Sequence, residues 1–536
     1  MNSPKSEDGK LDQVDLRTMK DLEELAARLG VEIPVLREEN RGQTPEDRPT
    51  PENRGQTPIS QTESASAPDA DSVCRPKTAS TPYQTFPEDV SILARPVTVG
   101  PVIAPNSLGI HPMEGCDAGA DGAPGELTVR RYERFAAGGA GLLWFEAMAV
   151  AREGRANPRQ LWLTAANAEA FASLVERARR AAAEANGKEH RPVLVAQLTH
   201  SGRQSRPDGQ AAPVIAAHDP YRDAAGHVAA DWPVATDEYL DRLGDAYVAA
   251  ARRAFAAGFD AVDVKACHGY LLDEMLGART RPGKYGGSFA NRTRFLLEVM
   301  DRIRAEMPAG GQVTMRLGAY DVVPHPYGWG VEENEIEPAK HPYCQAEGKQ
   351  WDFVPKPDLA EPLALAALLA ARGVNMINIT AGNPYYNPHI NRPYNTPASG
   401  GYEEPEHPLA GVARLIGLAA QVQRSQPGMA VVGTGYSWLR TWFANVGAAV
   451  KAGGMATIIG VGRLALAYPD FARDIVRNGR LDPKKVCMAC SACTQIMRDG
   501  GMAGCPLRDQ KVYGPIYRAG RKGKTKSATN DTNENE

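Results

Sequence analysis

From about residue 88 the chain alternates two textures. Short apolar runs rich in Val, Ile and Leu are followed by longer stretches whose apolar positions recur every three or four residues. The apolar runs predict strands at Val97–Ile103 (with Leu108–His111 close behind), Gly141–Val150, Val193–His200, Ala261–Ala266, Val313–Leu317, Met376–Thr380, Ala430–Gly433 and Thr457–Gly460. The periodic stretches predict helices over Glu126–Ala137, Ala165–Ala185, Thr236–Ala257, Ser288–Glu306, Asp358–Arg372, Leu409–Gln423, Tyr436–Ala452 and Tyr468–Asn478. Strands that alternate with helices pair in parallel through right-handed crossovers, and eight such units close into an α/β (β/α)8 TIM barrel. The body exceeds the ~250 residues usual for that fold. Much of the excess, Val322–Lys356, follows the fifth strand and is full of Pro, Gly, His and aromatics, which predicts a long loop on the catalytic face that could act as a lid.

The ends of the chain read differently. Residues 1–86 are mostly polar, and the heptapeptide Glu39–Pro45 recurs as Glu52–Pro58. Such a segment has too little apolar area to offset its ordering entropy, so a disordered tail is expected. Within it, 16–36 has helical spacing at Leu16, Met19, Leu22, Leu25 and Leu29. It reads as a short amphipathic helix, either docked on the body or a partner or, as the favoured reading, formed only transiently. The barrel is assigned to 87–480, a cysteine-rich segment to 481–517, and a second disordered tail to 518–536.

Charge narrows the function classes. A net charge of −3 over 536 residues carries no global signature of nucleic acid or membrane binding, and no apolar run approaches the ~18 residues of a membrane span. Nothing near the N-terminus resembles a signal peptide, so the expectation is a cytoplasmic protein with reduced thiols. Four of its eight cysteines fall within nineteen residues, as Cys487-x2-Cys490-x2-Cys493 and then Cys505-Pro506. A compact loop of three thiolates with a fourth further on suits an iron–sulfur cluster, one thiolate per iron. A structural zinc site is the alternative, although zinc sites usually come as two separated Cys-x2-Cys pairs; idle thiols are a third reading.

In a barrel of this kind the active-site groups come from the C-terminal ends of the strands. Those ends offer His111-Pro-Met-Glu114, Glu146-Ala147, Gln197, Lys265-Ala-Cys-His268-Gly-Tyr270, Arg316, Gly382-Asn383, Gly433-Thr-Gly435 and Gly462-Arg463. Glycines after strands 7 and 8 let backbone N–H groups approach a phosphate, and Arg463 can add a charged clamp. Gln197 and Arg316 are polar groups on apolar strands. Each has a bland reading, Gln197 as a satisfied core amide and Arg316 as the partner of Asp321; with a phosphate site on the same rim they look like contacts to a heterocycle. Lys265, His268 and Tyr270 bring a cation, an imidazole and a phenol to one rim, where they can polarise a carbonyl and deliver a proton, unless His268 merely caps the strand and Tyr270 packs.

The stretch from His268 through Met275 and Arg281 to Tyr285–Phe295 resembles the old yellow enzyme family of FMN oxidoreductases. So do Pro112-Met113, Gln197–Arg203 and Gly462–Pro469, while the cysteine segment resembles the subgroup that contains 2,4-dienoyl-CoA reductase and trimethylamine dehydrogenase. The resemblance covers roughly residues 90 to 515. It implies FMN with Pro112, Met113 and Ala147 along the ring, Gln197 and Arg316 on the pyrimidine edge, and Gly435, Gly462 and Arg463 on the phosphate. It implies His268 on the substrate oxygen, Tyr270 as proton donor, and a 4Fe-4S cluster on Cys487, Cys490, Cys493 and Cys505. Lys265 stands where ene-reductases usually carry a second imidazole. Glu114 stands where the family usually has a small or sulfur side chain, and a carboxylate there should lower the flavin's potential. The larger members of the subgroup continue into dinucleotide-binding domains, whereas this chain ends after the cysteines.

These readings converge on reduction of an activated C=C bond in a small-molecule substrate, with NADH, NADPH or a separate electron-transfer protein as electron source. The alternatives are an amine-type dehydrogenase that passes electrons out through the cluster, and a non-catalytic electron-transfer or redox-sensing subunit. A homo-oligomer is left open.

Overall fold

The computed structural model describes residues 16, 18–36, 90–333, 355–399 and 401–530. Among the described residues ten strands form two sheets: β1 (Val97–Val99), β2 (Val102–Ala104), β3 (Leu108–Ile110), β4 (Leu142–Ala149), β5 (Val193–Thr199), β6 (Ala261–Val264), β7 (Gln312–Gly318), β8 (Met376–Thr380), β9 (Ala430–Gly433) and β10 (Ile458–Val461). β3 to β10 pair in parallel in chain order, and β10 returns to β3 to close the barrel. The eight-fold alternation read from the sequence therefore is a (β/α)8 barrel. Because its strands are covered by helices outside and filled with side chains inside, they read as near-continuous apolar runs.

The opening strand departs from expectation. Val97–Ile103 is not a barrel strand: β1 and β2 form an antiparallel hairpin, with Val99 opposite Val102. The turn is Gly100-Pro101, where Gly100 has φ +56°, and the barrel starts only at Leu108. The hairpin places Val99 and Ala104 against Leu142, Trp144, Val193, Val195 and Ile458, so it floors the N-terminal end of the barrel.

Both flanks are more ordered than their composition suggests. A helix spans Met19–Leu29, started by a capping box in which Thr18 and Asp21 exchange hydrogen bonds and ended by Gly30 at φ +65°. It buries Leu22, Leu25 and Ala26 in the main core, so the favoured reading of a transient helix is replaced by a docked one. Trp442 Nε1 donates to the Leu16 carbonyl (3.1 Å) and Leu36 N donates to Asn445 Oδ1 (3.2 Å), which fastens the segment at both ends. The heptapeptide repeat lies outside the described residues. At the other end a helix runs from Gln510 to Asn530, so most of the tail expected from residue 518 is helical. Its start packs Val512, Tyr513, Ile516 and Tyr517 with Ile496, Ala503 and Leu127, and Arg521 pairs with Asp499 at 3.2 Å.

The base of the loop after β7 is closed by Glu332 N to the Lys356 carbonyl (3.0 Å) and Asp358 N to the Gly330 carbonyl (2.9 Å). Residues 334–354, the body of the expected lid, lie outside the described residues. No helix among those described is long and apolar enough to cross a membrane.

Candidate active site at the barrel mouth

Three adjacent strands build a polar layer across the mouth. β6 is only four residues long and fully buried, yet it carries Asp263. Register puts Asp263 beside Gln197 on β5 and Thr314 on β7. Its Oδ2 accepts from Gln197 Nε2 (2.6 Å) and Trp144 Nε1 (2.8 Å), and its Oδ1 accepts the Arg316 backbone N–H (2.7 Å). Burial raises the carboxyl to about 6 despite these donors. By engaging the Gln197 amide nitrogen, Asp263 leaves the amide oxygen to other partners. Arg316 is buried with Nε unpartnered, and Asp321 faces Arg222 instead (3.8 Å), which removes the bland reading of Arg316. Asn378 Nδ2 contacts His111 Nδ1 (3.1 Å), while Asn378 Oδ1 and Thr434 Oγ1 are buried without partners.

The rim after β6 turns sharply. His268 and Gly269 both have positive φ, +71° and +68°. Asp273 accepts the Gly269 N–H at 2.7 Å, and a Cβ at Gly269 would sit 1.9 Å from Asn383 Nδ2, so the turn needs glycine. Asn391 Nδ2 reaches His268 Nε2 (2.8 Å), Thr380 Oγ1 (3.1 Å) and the Ala381 carbonyl (3.4 Å). A carbonyl can only accept, so this atom is the amide nitrogen and His268 Nε2 accepts from it. The His268 proton then lies on Nδ1. Burial, with Arg316 and Lys265 nearby, pushes the imidazole well below its usual value, so it is neutral.

Tyr270 follows at 3% exposure. Its hydroxyl lies 3.1 Å from Glu114 Oε1 and 2.9 Å from the Tyr385 hydroxyl, and Lys265 Nζ stands 3.6 Å from its ring centroid. Glu114 also accepts from Gln160 Nε2 at 2.9 Å. Its carboxyl is raised by burial, only partly opposed by Lys265, Tyr270 and Gln160. It therefore keeps its proton to higher pH than an ordinary glutamate does. The turn that presents Glu114 is fixed from below. Glu146 accepts the Gly115 N–H (2.7 Å) and pairs with Arg131 (2.5 Å), whose guanidinium leaves no room for a Cβ at Gly115.

Pro112, Met113 and Ala147 lie at the ends of β3 and β4, with Ala147 opposite Gln197. Met113 Sδ lies 3.2 Å from where a Cβ of Gly462 would stand, so the end of the first barrel strand meets that of the last. Gly435 has φ +98°, and Ser437 Oγ accepts from both Gly462 N and Leu464 N (3.3 Å each), which ties the two glycine loops together.

A model of the NADH:flavin oxidoreductase / NADH oxidase family matches residues 93–345. An NADPH dehydrogenase of Geobacillus sp. is 32% identical over 253 residues, covering 45% of this chain and 67% of that protein. The chain belongs to the NADH:flavin oxidoreductase family. An NADH:flavin oxidoreductase of Gibberella zeae is 30% identical over 269 residues, 44% of this chain and 61% of the relative, so the chain spans about three fifths of that protein. The structure of a 2-naphthoyl-CoA reductase covers 80% of this chain and 58% of its own at a TM-score of 0.59, a likeness of fold at 18% identity.

In this member of the NADH:flavin oxidoreductase family, Cys487, Cys490, Cys493 and Cys505 are free thiols that line one small cavity with Arg463, Leu466, Met488 and Arg508. Ala489 and Ser491 take positive φ (+51° and +53°) and curl the loop between the cysteines. Among the described residues no three His, Cys, Asp or Glu side chains are arranged to hold a single metal ion. Arg463, expected on a phosphate, lines this thiol cavity, hydrogen-bonds the Pro393 carbonyl and leaves one terminal nitrogen unpartnered.

Asp263, Asn391, Tyr385 and Gln160 were not expected from sequence. Asp263 had a signal: a carboxylate inside a four-residue apolar run must find buried partners. Asn391 and Tyr385 come from the Asn-, Pro- and Tyr-rich stretch after β8, whose composition reads as loop. Gln160 had no signal.

Proposed function

We propose that this protein is an FMN-dependent oxidoreductase that reduces an activated C=C bond of enoate, enone or enoyl type, with a 4Fe-4S cluster on Cys487, Cys490, Cys493 and Cys505. NADH, NADPH or a separate electron-transfer protein would supply the electrons. The observation that carries the reading is the rim after β6. A neutral imidazole with its proton on Nδ1 and a buried phenol stand two residues apart, on a turn held by Asn391 and Asp273.

The residues present fit FMN. Arg316 Nε, Asn378 Oδ1 and Thr434 Oγ1 are buried on or just after β7, β8 and β9 without partners, and such atoms are costly unless a ligand meets them. Gln197 and Arg316 would hold the pyrimidine edge, Pro112, Met113, Glu114 and Ala147 would lie along the ring, and Gly435, Gly462 and Arg463 would approach the phosphate. FMN, when bound, supplies hydride chemistry to the β-carbon of the alkene. The chain's own groups do the rest. His268 Nδ1–H hydrogen-bonds the substrate oxygen. Lys265 adds positive potential that favours charge developing on that oxygen. Tyr270 gives its phenolic proton to the α-carbon.

The four thiols that share one cavity also fit a cluster, which takes one thiolate per iron. They support a second reading, an amine-type dehydrogenase that passes electrons out through the cluster. Turnover with an enone or with an amine separates the two. A non-catalytic subunit would carry both cofactors and reoxidise its flavin with neither.

The test is anaerobic. Tyr270→Phe should slow flavin reoxidation by an enone by on the order of 10², while flavin reduction by the nicotinamide persists. If neither half-reaction changes, Tyr270 is not the proton donor.

A further inference from the structure

The phenol proposed as proton donor is nearly buried, so once it gives up its proton it must regain one before the next turnover. Two groups contact its oxygen. One is Glu114 Oε1 at 3.1 Å, itself held by Gln160 Nε2 at 2.9 Å. The other is the Tyr385 hydroxyl at 2.9 Å, on a residue that is 45% exposed and whose backbone N–H is anchored to Asn383 Oδ1 (2.9 Å). The hydroxyl of Tyr270 thus lies between a buried acid and a phenol that reaches the surface.

We infer that Glu114 and Tyr385 form a relay that returns a proton to Tyr270 after each turnover, with Glu114 as the reservoir and Tyr385 as the link to solvent. The inference rests on the reading of Tyr270 as donor. The transfer breaks the O–H bond of the Glu114 carboxyl and forms the O–H bond of Tyr270. The carboxylate left behind takes one proton from water through the two hydroxyls, so each turnover draws one proton from solvent and nothing is oxidised or reduced along the path. Lys265, 3.6 Å from the centre of the Tyr270 ring, stabilises the phenolate and then the Glu114 carboxylate, and so keeps a single negative charge on the relay tolerable while the proton moves. Burial supports the reservoir role, since it holds the Glu114 carboxyl in its proton-bearing form to higher pH than usual. Glu114 is thus a proton-supplying residue that acts on the substrate through Tyr270.

A first turnover uses the proton already on Tyr270; later turnovers need the relay. Holoenzyme reduced anaerobically is mixed with one equivalent of 2-cyclohexenone, methyl crotonate or crotonyl-CoA, and in a second arm with excess alkene together with excess dithionite, which reduces the flavin again after each turnover. Flavin absorbance and the ultraviolet band of tyrosinate are followed together. For Glu114→Gln the later turnovers should slow on the order of tenfold more than the first, with a tyrosinate signal after the first that the native enzyme does not accumulate. Tyr385→Phe should show the same split, and small diffusible acids such as formic acid should partly restore the Gln variant. Equal slowing of first and later turnovers, without tyrosinate, would show Glu114 to be structural and overturn the relay. If Tyr270→Phe leaves the first turnover unchanged, or none of the three alkenes reoxidises the flavin of the native enzyme, the donor reading itself fails and the relay with it.

Discussion

Asp263 is the residue on which the polar layer of the barrel mouth depends. It holds Gln197, Trp144 and the backbone of Arg316 with two oxygens, in a strand with no other polar side chain. Asp263→Asn keeps the shape but turns one acceptor into a donor facing donors. That should cost about 1–3 kcal/mol, the penalty of a buried polar group left unmatched, and weaken flavin retention through a loosened Gln197. Its pH signature has a definite sign. The carboxyl rises from the ordinary 3.8 to about 6 on folding, so the folded state holds a proton that the unfolded state releases between those values. Its contribution is fully present below about pH 4 and is lost as pH rises to about 6. Denaturant midpoints measured from pH 4 to 7 should lose this downward slope in the Asn variant. A slope of equal size in both proteins would assign it to another group.

At the same scale, the types of the site residues were more legible than their couplings. Tyr270, His268 and Lys265 can be read as chemistry from a single hexapeptide. Glu114 and Tyr270 are 156 positions apart, and Tyr270 and Tyr385 are 115 apart. No spacing rule links them; the barrel register does. For the same reason the sequence shows the Glu114 carboxyl but not the upward shift that burial gives it, because a formal charge is a property of sequence and its protonation a property of burial.

Among the elements, those with a clear period were read best, because a buried strand and an amphipathic helix differ in period wherever the pattern is long enough. The failures were short or mixed. Val97–Ile103 reads as one run because Gly100-Pro101 interrupts it by only two residues, yet that turn makes it a hairpin. The helix Met19–Leu29 sits in a polar tail, and composition averaged over the tail conceals three side chains that the barrel covers. Leu22 is 0% exposed, so Leu22→Ala removes about 2–4 kcal/mol of packing. The helix docks through three buried side chains and two flanking hydrogen bonds, so this loss should first release the helix and leave the barrel folded. Limited proteolysis should cut the Ala variant in the segment around residues 30–36 well below the temperature at which the barrel melts. A variant that melts in one step, with no early cleavage, would show the helix to be part of the cooperative core.

At the scale of the molecule, the question is whether the cysteine segment is an independent appendage or one packed unit with the barrel. Packing argues for one unit. Arg130 and Arg134 on the first barrel helix both reach Asp509, just past Cys505, and the Ala503 N–H donates to the Gly115 carbonyl (2.6 Å), beside Glu114. Arg463 follows the last barrel strand directly and lines the thiol cavity, so the segment is held against the strand ends that frame the mouth. These contacts involve no thiol, so the segment should keep its place when one thiol is lost. Cys505→Ser is then the informative change. Purified without oxygen, the native protein should carry iron and acid-labile sulfide and show a broad visible background beneath the flavin bands. The Ser variant should lose most of that iron and background while it stays folded and flavin-loaded, because Arg130 and Arg134 still grip Asp509. Zinc in place of iron in the native protein would return the segment to a structural role. Iron retained in full by the Ser variant would remove Cys505 from the ligand set.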